Sequence, residues 1–535
     1  MKKMEDDHTC TCRLPLHASN FISLSFLLPF LITTNKQTLC SRIILQTNPS
    51  IYKKTTINKK VTNPFTQPYT PKTILLTFTS TAKATVYTPL FTMAIPHFLA
   101  IPFPIQGHIN PLLQFSQVLV TYGCKITFLS SDENYRKLKS ARDGAAMDPN
   151  IKFVSLPDGV DPEDDRKDQA KVISTTIKTM RVMLPKLIQD VNAFDTHNKI
   201  SCIIVTKNMG WALEVGHHLG IKGSLFWPAS ATSLASFNSI QRLIDEGTID
   251  CKTGLPSRNQ ELIQLSSNLP LMEAASMPWY CLDNPFFFLH MKQEMQNLNL
   301  AEKWLCNTTF DLEAGAFSTS PKLLPVGPLM ANEKNNILCS LWEEDRTCLE
   351  WLDLQPPQSV IYVSFGSMVS LKPNQFNELA LGLDLLKRPF LWVVREDNGF
   401  EVNNACEFRG SQGKVVSWAP QKKVLSHPAI ACFITHCGWN STIEGVCNGV
   451  PFLCWPFCSD QLMNQTYICD VWKVGVGFDR DENGMISKEE IKKKVEQLLV
   501  DEEIKGRSSK FMEMVIKNKT QGDHNLNMFI NWAKD

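Results

Sequence analysis

Between residues 93 and 535, apolar runs of strand length alternate with longer segments of helical pattern, and this alternation occurs twice. Such an order of elements is typical of parallel sheets joined by crossover helices, so it predicts an α/β fold with two doubly wound domains. The predicted strands are Phe98–Phe103, Lys125–Ser130, Ile151–Leu156, Ile200–Val205 and Gly223–Trp227, then Val360–Phe365, Phe390–Val394, Val415–Ser417, Ala429–Ile434 and Pro451–Cys454. Because ligands bind beyond the carboxyl ends of such strands, two facing domains would enclose a ligand cleft.

The length and composition of the chain agree with two packed domains. The 535 residues exceed one typical domain, and 43% of them are apolar, which provides ample core. A segment rich in breakers and polar residues, Pro325–Asn336, lies between the halves. We predict domains over 93–330 and 346–535 with a linker over 331–345, and the last helix is a candidate for packing back on the first domain. The chain has 54 Lys and Arg residues and 53 Asp and Glu residues. It therefore lacks the surplus of positive charge that is typical of proteins that bind nucleic acid.

The first 92 residues differ in composition from the rest. They contain no Gly or Trp, and eleven Lys and Arg stand against three carboxylates. The apolar run Phe21–Ile32 is shorter than the roughly 20 residues that cross a bilayer. Two interpretations stay open, a signal or organelle transit peptide and a disordered extension with no structural role upstream of a cytosolic start at Met93. The second is favoured, and the 17 scattered cysteines also indicate a reducing, cytoplasmic compartment.

The segment from Trp418 to Gln461 carries the densest set of polar and aromatic residues. A buried strand runs into His436-Cys-Gly-Trp-Asn-Ser441, and a helix is predicted from about Thr442. Gly438 is predicted to permit a tight turn, and the helix N-terminus that follows would attract a diphosphate. Further polar groups suited to phosphate or sugar are His436, Asn440, Ser441, Asp460 and Gln461.

This 44-residue segment resembles the donor-binding box of the plant UDP-glycosyltransferases, a family of the GT-B type with two facing Rossmann-like domains. The resemblance implies that the second domain binds a UDP-sugar and the first an acceptor. It implies contacts to uracil and ribose from Trp418, Ala419, Gln421 and Glu444, to the diphosphate from Ser367, His436, Asn440 and Ser441, and to the sugar from Trp439, Asp460 and Gln461. Gln at the last position accompanies glucose in the family, so UDP-glucose is the expected co-substrate, with no cofactor or metal.

A second motif, Gln106-Gly-His108-Ile-Asn-Pro111, follows the first predicted strand, and Pro111 is predicted to open a helix. This order places His108 at the carboxyl end of the strand, where catalytic groups belong in such sheets. In the family the matching histidine is the general base that deprotonates the acceptor. The family's supporting Asp aligns with Thr206, which can orient an imidazole but cannot offset its positive charge. The adjacent Lys207, if turned inward, would disfavour protonation further.

Two functions therefore stay open. One is an inverting transferase that moves glucose to a hydroxyl or carboxyl group of a small acceptor. The other is a UDP-sugar-binding protein with weak or lost catalysis at Thr206. Two loops of the first domain, Asp158–Asp168 and Trp279–His290, are predicted to shape the acceptor site, and the apolar run from Pro285 indicates a hydrophobic acceptor. No stable membrane insertion is expected, and the protein is predicted to be a monomer.

A competing motif lies near the end of the second domain. Asp479, Asp481, Asn483, Gly484 and Glu490 match the twelve-residue calcium loop of an EF-hand. The segment before it reads as a strand, so the entering helix of a helix–loop–helix unit is absent. We favour an Asn-Gly turn followed by a helix that Ser487 caps.

Overall fold

In this computed structural model, the described residues are 95–140, 148–161, 163–164, 166, 168–257, 261–280, 285–329, 342–395 and 412–534, together with three short strands further upstream. These strands are β1 (Pro15–His17), β2 (Phe21–Ile22) and β3 (Gln46–Thr47), and they form a small sheet in the order β2-β1-β3. Apart from these three strands, the predicted disorder of 1–92 concerns residues outside the described part, and so does most of the predicted linker.

The first large sheet has seven parallel strands in the order β12-β11-β8-β7-β4-β5-β6. The strands are β4 (His97–Ile101), β5 (Lys125–Ser131), β6 (Ile151–Leu156), β7 (Cys202–Val205), β8 (Lys222–Trp227), β11 (Lys303–Cys306) and β12 (Leu323–Pro325). Five of them correspond to the predicted strands, and β11 and β12 extend the sheet beyond the prediction. A separate hairpin pairs β9 (Leu262–Ile263) with β10 (Met272–Glu273).

Eight α-helices surround this sheet in the described residues. They are α1 (Gln106–Thr121), α2 (Asp132–Ser140), α3 (Gln169–Phe194), α4 (Trp211–His218), α5 (Ala231–Asn238), α6 (Ile240–Asp245), α7 (Pro285–Leu298) and α8 (Ala314–Phe317). Short 3-10 turns lie at Ala274–Ser276 and Phe310–Leu312. The run that begins at Pro285 was predicted as part of a loop and instead forms the first turns of α7, where Phe288 is buried in the core.

The second large sheet has six parallel strands in the order β15-β14-β13-β16-β17-β18. They are β13 (Val360–Ser364), β14 (Phe390–Val393), β15 (Gly413–Val416), β16 (Ile430–Thr435), β17 (Phe452–Cys454) and β18 (Gly475–Gly477). The described helices are α9 (Thr347–Asp353), α10 (Pro373–Leu385), α11 (Gln421–Leu425), α12 (Trp439–Cys447), α13 (Gln461–Thr466), α14 (Lys488–Val500), α15 (Glu502–Lys517) and α16 (Lys519–Lys534), and a π-helical turn covers Tyr467–Val471. The α/β class with two parallel, doubly wound sheets is confirmed.

The last helix, α16, packs against the first sheet and not the second. Phe529 is fully buried and stacks on Phe98 of β4 with ring centroids 5.4 Å apart. Asn525 Nδ2 donates to the Pro325 carbonyl at 2.8 Å, and Lys222 Nζ donates to the Trp532 carbonyl at 2.6 Å. This helix therefore ties the end of the chain to the first sheet.

The core of both halves consists mainly of buried apolar side chains, and the central strands β4, β7, β13 and β16 are buried along their whole length. No helix among the described residues combines the length and the apolar character that are needed to cross a bilayer.

Candidate active site

The turn after β16 shapes the anion-binding end of the site. Its left-handed residue is Cys437, with φ of +63°, whereas Gly438 has φ of −62°. The prediction that Gly438 makes the turn possible through its backbone freedom was therefore wrong. What the glycine provides is space, because a Cβ there would lie 2.3 Å from His436 Nε2. Gly366 lies against the same ring, and its Cβ would lie 2.8 Å from that nitrogen.

Helix α12 begins at Trp439, three residues earlier than predicted, with Gly438 as its N-cap. Backbone N–H groups in the first turn of a helix have no intrahelical acceptor, and Gly438 has no side chain that could cap those of Trp439, Asn440 and Ser441. Three N–H groups at the positive end of a helix form an anion site. The sequence predicts the diphosphate at this helix N-terminus, and Ser367 lies in the turn after β13, next to Gly366.

Arg395 is a buried cation beside this anion site that the sequence analysis missed. It follows β14, and its Nη1 donates to the carbonyls of Gly366 at 2.6 Å and Val369 at 3.1 Å. These bonds fix the turn that carries Ser367. Burial, and secondarily the charge of Arg395, lowers the pKa of His436 to about 4, so this imidazole is neutral at pH 7. A charged residue directly after a predicted buried strand is the signal that could have indicated it.

Two of the predicted nucleoside residues, Gln421 and Glu444, belong to one hydrogen-bonded network. Gln421 Nε2 donates to Ser441 Oγ at 3.0 Å and to Glu444 Oε2 at 2.9 Å, and Tyr362 donates its hydroxyl to Gln421 Oε1 at 3.2 Å. Burial raises the pKa of Glu444, and the nearby Lys422 ammonium partly offsets this effect. The network holds the Glu444 carboxylate at a fixed place, as recognition of two adjacent hydroxyls requires.

Trp418 lies just beyond β15 and is partly exposed. Its indole stacks on Trp342, with ring centroids 5.8 Å apart and an interplanar angle of 24°. Trp342 therefore supports one face of Trp418, and a planar base can use only the other. Ala419, beside it, is buried.

Two of the predicted sugar-facing residues, Asp460 and Gln461, make hydrogen bonds within their own segment. Asp460 is the N-cap of α13 and accepts from Asn464 Nδ2 at 2.8 Å. Gln461 Oε1 accepts from the backbone N–H groups of Phe457 at 2.9 Å and Cys458 at 3.2 Å. Since these bonds use both lone pairs of Oε1, a hydrogen bond from Gln461 to a ligand would come from Nε2.

Trp439 packs differently from the other predicted sugar-facing residues. Its indole is buried and Nε1 donates to the Asn307 carbonyl of the first half at 2.9 Å. The side chain thus joins the two halves, and only the backbone N–H of Trp439 is oriented with the helix N-terminus.

His108 and Thr206 meet at the carboxyl edge of the first sheet. His108 Nδ1 lies 2.8 Å from Thr206 Oγ1, and the Phe103 backbone N–H donates to the same hydroxyl at 2.9 Å. Thr206 is fully buried. Burial, and secondarily the charge of Lys207, lowers the pKa of His108 to about 3. The predicted pair is therefore in contact, and its imidazole is neutral at pH 7.

Helix α1 begins at Gln106 and not at Pro111, so His108 lies in its first turn. A proline has no backbone N–H, so inside a helix it leaves the carbonyl four residues earlier without its usual donor. For Pro111 this is the carbonyl of Gly107. Asn440 Nδ2, from the first turn of α12, donates to that carbonyl at 3.2 Å. A single hydrogen bond therefore joins the first turns of the two helices that carry His108 and the anion site.

The segment that matches a calcium-binding loop forms ion pairs and hydrogen bonds within the second half. The Asp479 carboxylate lies 3.1 Å from Lys494 Nζ, and Glu490 Oε1 accepts from the Asp479 backbone N–H at 3.1 Å. Asp481 and Gly484 form the predicted turn, with Gly484 at φ of +75°. Ser487 accepts from the Glu490 backbone N–H at 3.2 Å and caps α14, as predicted. In the described residues no group of three or more potential ligands could hold a metal ion.

Two family models match the chain. One, described as UDP-glucoronosyl and UDP-glucosyl transferase, matches residues 284–519, and one for the N-terminal domain of glycosyltransferases matches residues 97–158. UDP-glycosyltransferase 83A1 of Arabidopsis thaliana is 39% identical over 460 residues, which cover 83% of this chain and 97% of that protein. The 7-deoxyloganetin glucosyltransferase of Gardenia jasminoides is 33% identical over 453 residues, which cover 79% of this chain and 93% of that protein.

Solved structures show the same architecture. A UDP-glucosyltransferase from Polygonum tinctorium capable of glucosylating indoxyl matches with a TM-score of 0.70 at 26% identity, covering 83% of this chain and 100% of that chain. Phytolacca americana UGT2, solved with UDP-2fluoro-glucose and pterostilbene, matches with a TM-score of 0.68 at 25% identity, covering 82% and 100%.

Proposed function

This chain belongs to the plant UDP-glycosyltransferase family, and we propose that it transfers glucose from UDP-glucose to a hydroxyl or carboxyl group of a small hydrophobic acceptor. The observation that carries the proposal is the hydrogen bond of 3.2 Å from Asn440 Nδ2 to the Gly107 carbonyl. It joins an anion-binding helix N-terminus to the first turn of the helix that carries His108. A sugar attached to a diphosphate at the first position would lie near the imidazole at the second.

The donor would lie along the carboxyl edge of the second sheet. In this proposal uracil stacks on Trp418 and the ribose hydroxyls bind Glu444. The diphosphate accepts from the α12 N-terminus, with His436 as a neutral donor, and the hexose reaches Asp460 and Gln461. Backbone N–H groups and the Arg395 charge supply the positive potential, so we propose that no metal ion is required.

Transfer would proceed by a single displacement. The acceptor oxygen attacks the anomeric carbon while the bond to the β-phosphate breaks, and UDP leaves with the bonding electrons, which inverts the configuration. For a hydroxyl acceptor, the proton passes to His108 Nε2, because Nδ1 faces Thr206. The base requires Nδ1 to carry a proton, so Thr206 must accept from Nδ1 in the productive tautomer.

One observation favours the second candidate, a UDP-sugar-binding protein with weak catalysis. His108 contacts a hydroxyl where its relatives' pattern has a carboxylate, and its pKa is lowered to about 3. Such an imidazole is available at pH 7 but is a weak base for an alcohol. We nevertheless favour the transferase, because the donor-site network and the His108 contact are both intact.

The deciding experiment incubates the full chain with UDP-glucose and a mixed library of small acceptors, and measures glucose conjugates by mass spectrometry and UDP-glucose affinity by calorimetry. Conjugate formation together with donor binding supports the transferase. Donor binding with no conjugate from any acceptor would contradict it and support the binding protein.

We also propose a cytoplasmic location. Cys124, Cys202 and Cys306 are buried cysteines outside any disulfide, which is typical of proteins in a reducing compartment. Fluorescent fusions at the carboxyl terminus of the full chain would test it, and accumulation in plastids or outside the cell would contradict it.

A further inference from the structure

Lys207 follows Thr206 directly in the chain, and its ammonium lies over two buried aromatic rings. Its Nζ is 4.7 Å from the ring centroid of Phe237 and 5.9 Å from that of Trp227. Both rings are buried, and they are part of a continuous aromatic series with Trp279. The ammonium thus lies over aromatic side chains at the carboxyl edge of the first sheet. It is close enough for its charge to lower the pKa of His108.

The turn that presents Lys207 is held rigidly. The next residue, Asn208, has φ of +71°, and its Oδ1 is 3.1 Å from His290 Nε2. The Glu294 carboxylate of α7 accepts from the Gly210 backbone N–H at 2.7 Å. A Cβ at Gly210 would lie 2.9 Å from both Glu294 Oε1 and Asn297 Cβ, so a larger residue there would have to displace side chains of α7. The lysine therefore starts from a fixed backbone position, as a recognition residue requires.

The titratable groups that face Lys207 come from both halves. Its positive charge lowers the pKa of His108 and of His290, and burial is the larger cause for each. The charge also acts on two carboxylates, Glu294 and Asp460, whose pKa values burial raises. Lys207 is thus a cation placed between the base of the first half and the sugar-facing carboxylate of the second.

We propose that Lys207 selects acceptors with an ionised carboxylate on an aromatic or flat apolar body, and that glucose is transferred to that carboxylate. The inference rests on the proposed transferase function and narrows its acceptor class. The ammonium attracts the carboxylate and leaves one oxygen directed at the donor sugar.

The chemistry of this acceptor fits the departure at Thr206. A carboxylate oxygen attacks the anomeric carbon, the bond from that carbon to the β-phosphate oxygen breaks, and UDP leaves with the electron pair. The product is a glucose ester, and the three negative charges of UDP-glucose and the acid end on UDP. No proton has to be removed, so a strong base at His108 is not needed. An Asp at position 206 would repel the acceptor, whereas threonine does not.

The test compares acid and alcohol pairs with the same body, such as trans-cinnamate with cinnamyl alcohol and benzoate with benzyl alcohol, using the full chain and UDP-glucose. Esters are identified by their cleavage in mild alkali, which leaves glucosides intact. We expect kcat/KM for the acids to exceed that for the alcohols. In Lys207→Met the acid-to-alcohol ratio should fall by about tenfold or more, the loss of one charge-assisted hydrogen bond, and Lys207→Arg should recover part of it.

A binding measurement keeps the inference testable apart from turnover. With UDP present, calorimetric affinity for cinnamate should fall about tenfold in Lys207→Met, while affinity for UDP-glucose should change little. Products from alcohols alone, or an unchanged acid-to-alcohol ratio in Lys207→Met, would overturn the inference and leave the transferase intact. A matching loss of UDP-glucose affinity would overturn it by placing Lys207 at the donor. Donor binding with no product from any acceptor would instead contradict the proposed function itself.

Discussion

His108 Nδ1 lies 2.8 Å from Thr206 Oγ1, and that hydroxyl already accepts from the Phe103 backbone N–H. A hydroxyl can accept from a protonated Nδ1 or donate to a deprotonated one, whereas a carboxylate can only accept. Threonine therefore permits both neutral tautomers, and only one of them leaves Nε2 able to take a proton. Under the proposed function, His108 is therefore a base that is unprotonated at pH 7 but is not fixed in its productive tautomer.

The pH dependence of glucoside formation from a neutral alcohol should reflect this environment. Burial and Lys207 lower the pKa of His108 to about 3, so the imidazole stays unprotonated throughout pH 5 to 8. We expect no fall of kcat/KM near pH 6.5, the ordinary histidine pKa. An acid limb centred near 6.5, absent from the UDP-glucose affinity, would contradict the assignment.

The same shift has a consequence for stability. Between about pH 3 and 6.5 the unfolded chain binds a proton at His108 that the folded chain does not. Protonation therefore favours the unfolded chain, and the free energy of unfolding decreases as the pH falls from 6.5 to about 3. Above pH 6.5 this group no longer makes stability depend on pH. His108→Gln removes the contribution, so its melting temperature should depend less steeply on pH than that of the wild type below 6.5.

Trp418→Ala should weaken UDP and UDP-glucose alike, by roughly tenfold, because stacking on uracil is common to both ligands. Calorimetry with each ligand measures the two affinities. Unchanged UDP affinity in a folded variant would mean that the base lies elsewhere.

Gln461→His should lower the use of UDP-glucose more than affinity for UDP, because the change affects only the hexose end. The Gln461 oxygen also accepts from Phe457 and Cys458, so a loss could come from the loop alone. Gln461→Glu is the matched control, since it keeps the accepting oxygen and removes the Nε2 donor. If both variants lose UDP and UDP-glucose affinity equally, Gln461 does not contact the sugar.

The sequence predicted the strands well, because buried parallel strands are short apolar runs between breakers. The resemblance to the family also indicated Thr206 as the partner of His108, and the two residues are in contact because they follow neighbouring strands, β4 and β7. The start of α1 was misplaced at Pro111. A proline inside a helix is tolerated there because the Gly107 carbonyl has a donor in Asn440, more than 300 residues away, which no local pattern reveals.

The missed residues have a similar cause. Arg395 is a cation after a strand, and its role depends on carbonyls of a turn that precedes it by nearly 30 residues. The direction of Lys207 depends on Phe237 and on the rigid turn at Asn208. Trp439 was assigned to the sugar from its motif, whereas its indole binds a carbonyl of the other half. Side-chain direction follows from tertiary packing, and one sequence does not display that packing.

Calcium should change neither the melting temperature nor the activity. Glu490, the residue that would complete the loop, accepts from the Asp479 backbone N–H and lies 3.3 Å from Lys493 Nζ, and Lys494 pairs with Asp479. A cation would have to displace these ammonium groups. Stabilisation that grows with micromolar calcium and disappears in Glu490→Gln would overturn this prediction.

Thr206→Asp should convert the weak base into a stronger one. A carboxylate at this position accepts from His108 Nδ1–H, fixes the productive tautomer and raises the pKa of the imidazole. Turnover of a neutral alcohol should rise by roughly tenfold or more, and an acid limb should appear in its pH profile. Affinity for UDP-glucose should stay nearly constant because the change lies in the first half. Thr206→Asn is the matched control, since it has similar size without the charge.

The same variant separates base strength from acceptor selection. The carboxylate that Thr206→Asp introduces would lie beside Lys207, pair with it and repel an acceptor carboxylate, so ester formation should fall while glucoside formation rises. In His108→Gln the added carboxylate should bring no gain for the alcohol, because the two groups act as one unit. An unchanged or lower alcohol rate in folded Thr206→Asp would show that Thr206 does not limit the base. A parallel rise for acids and alcohols would show that the charge at this position does not select between them.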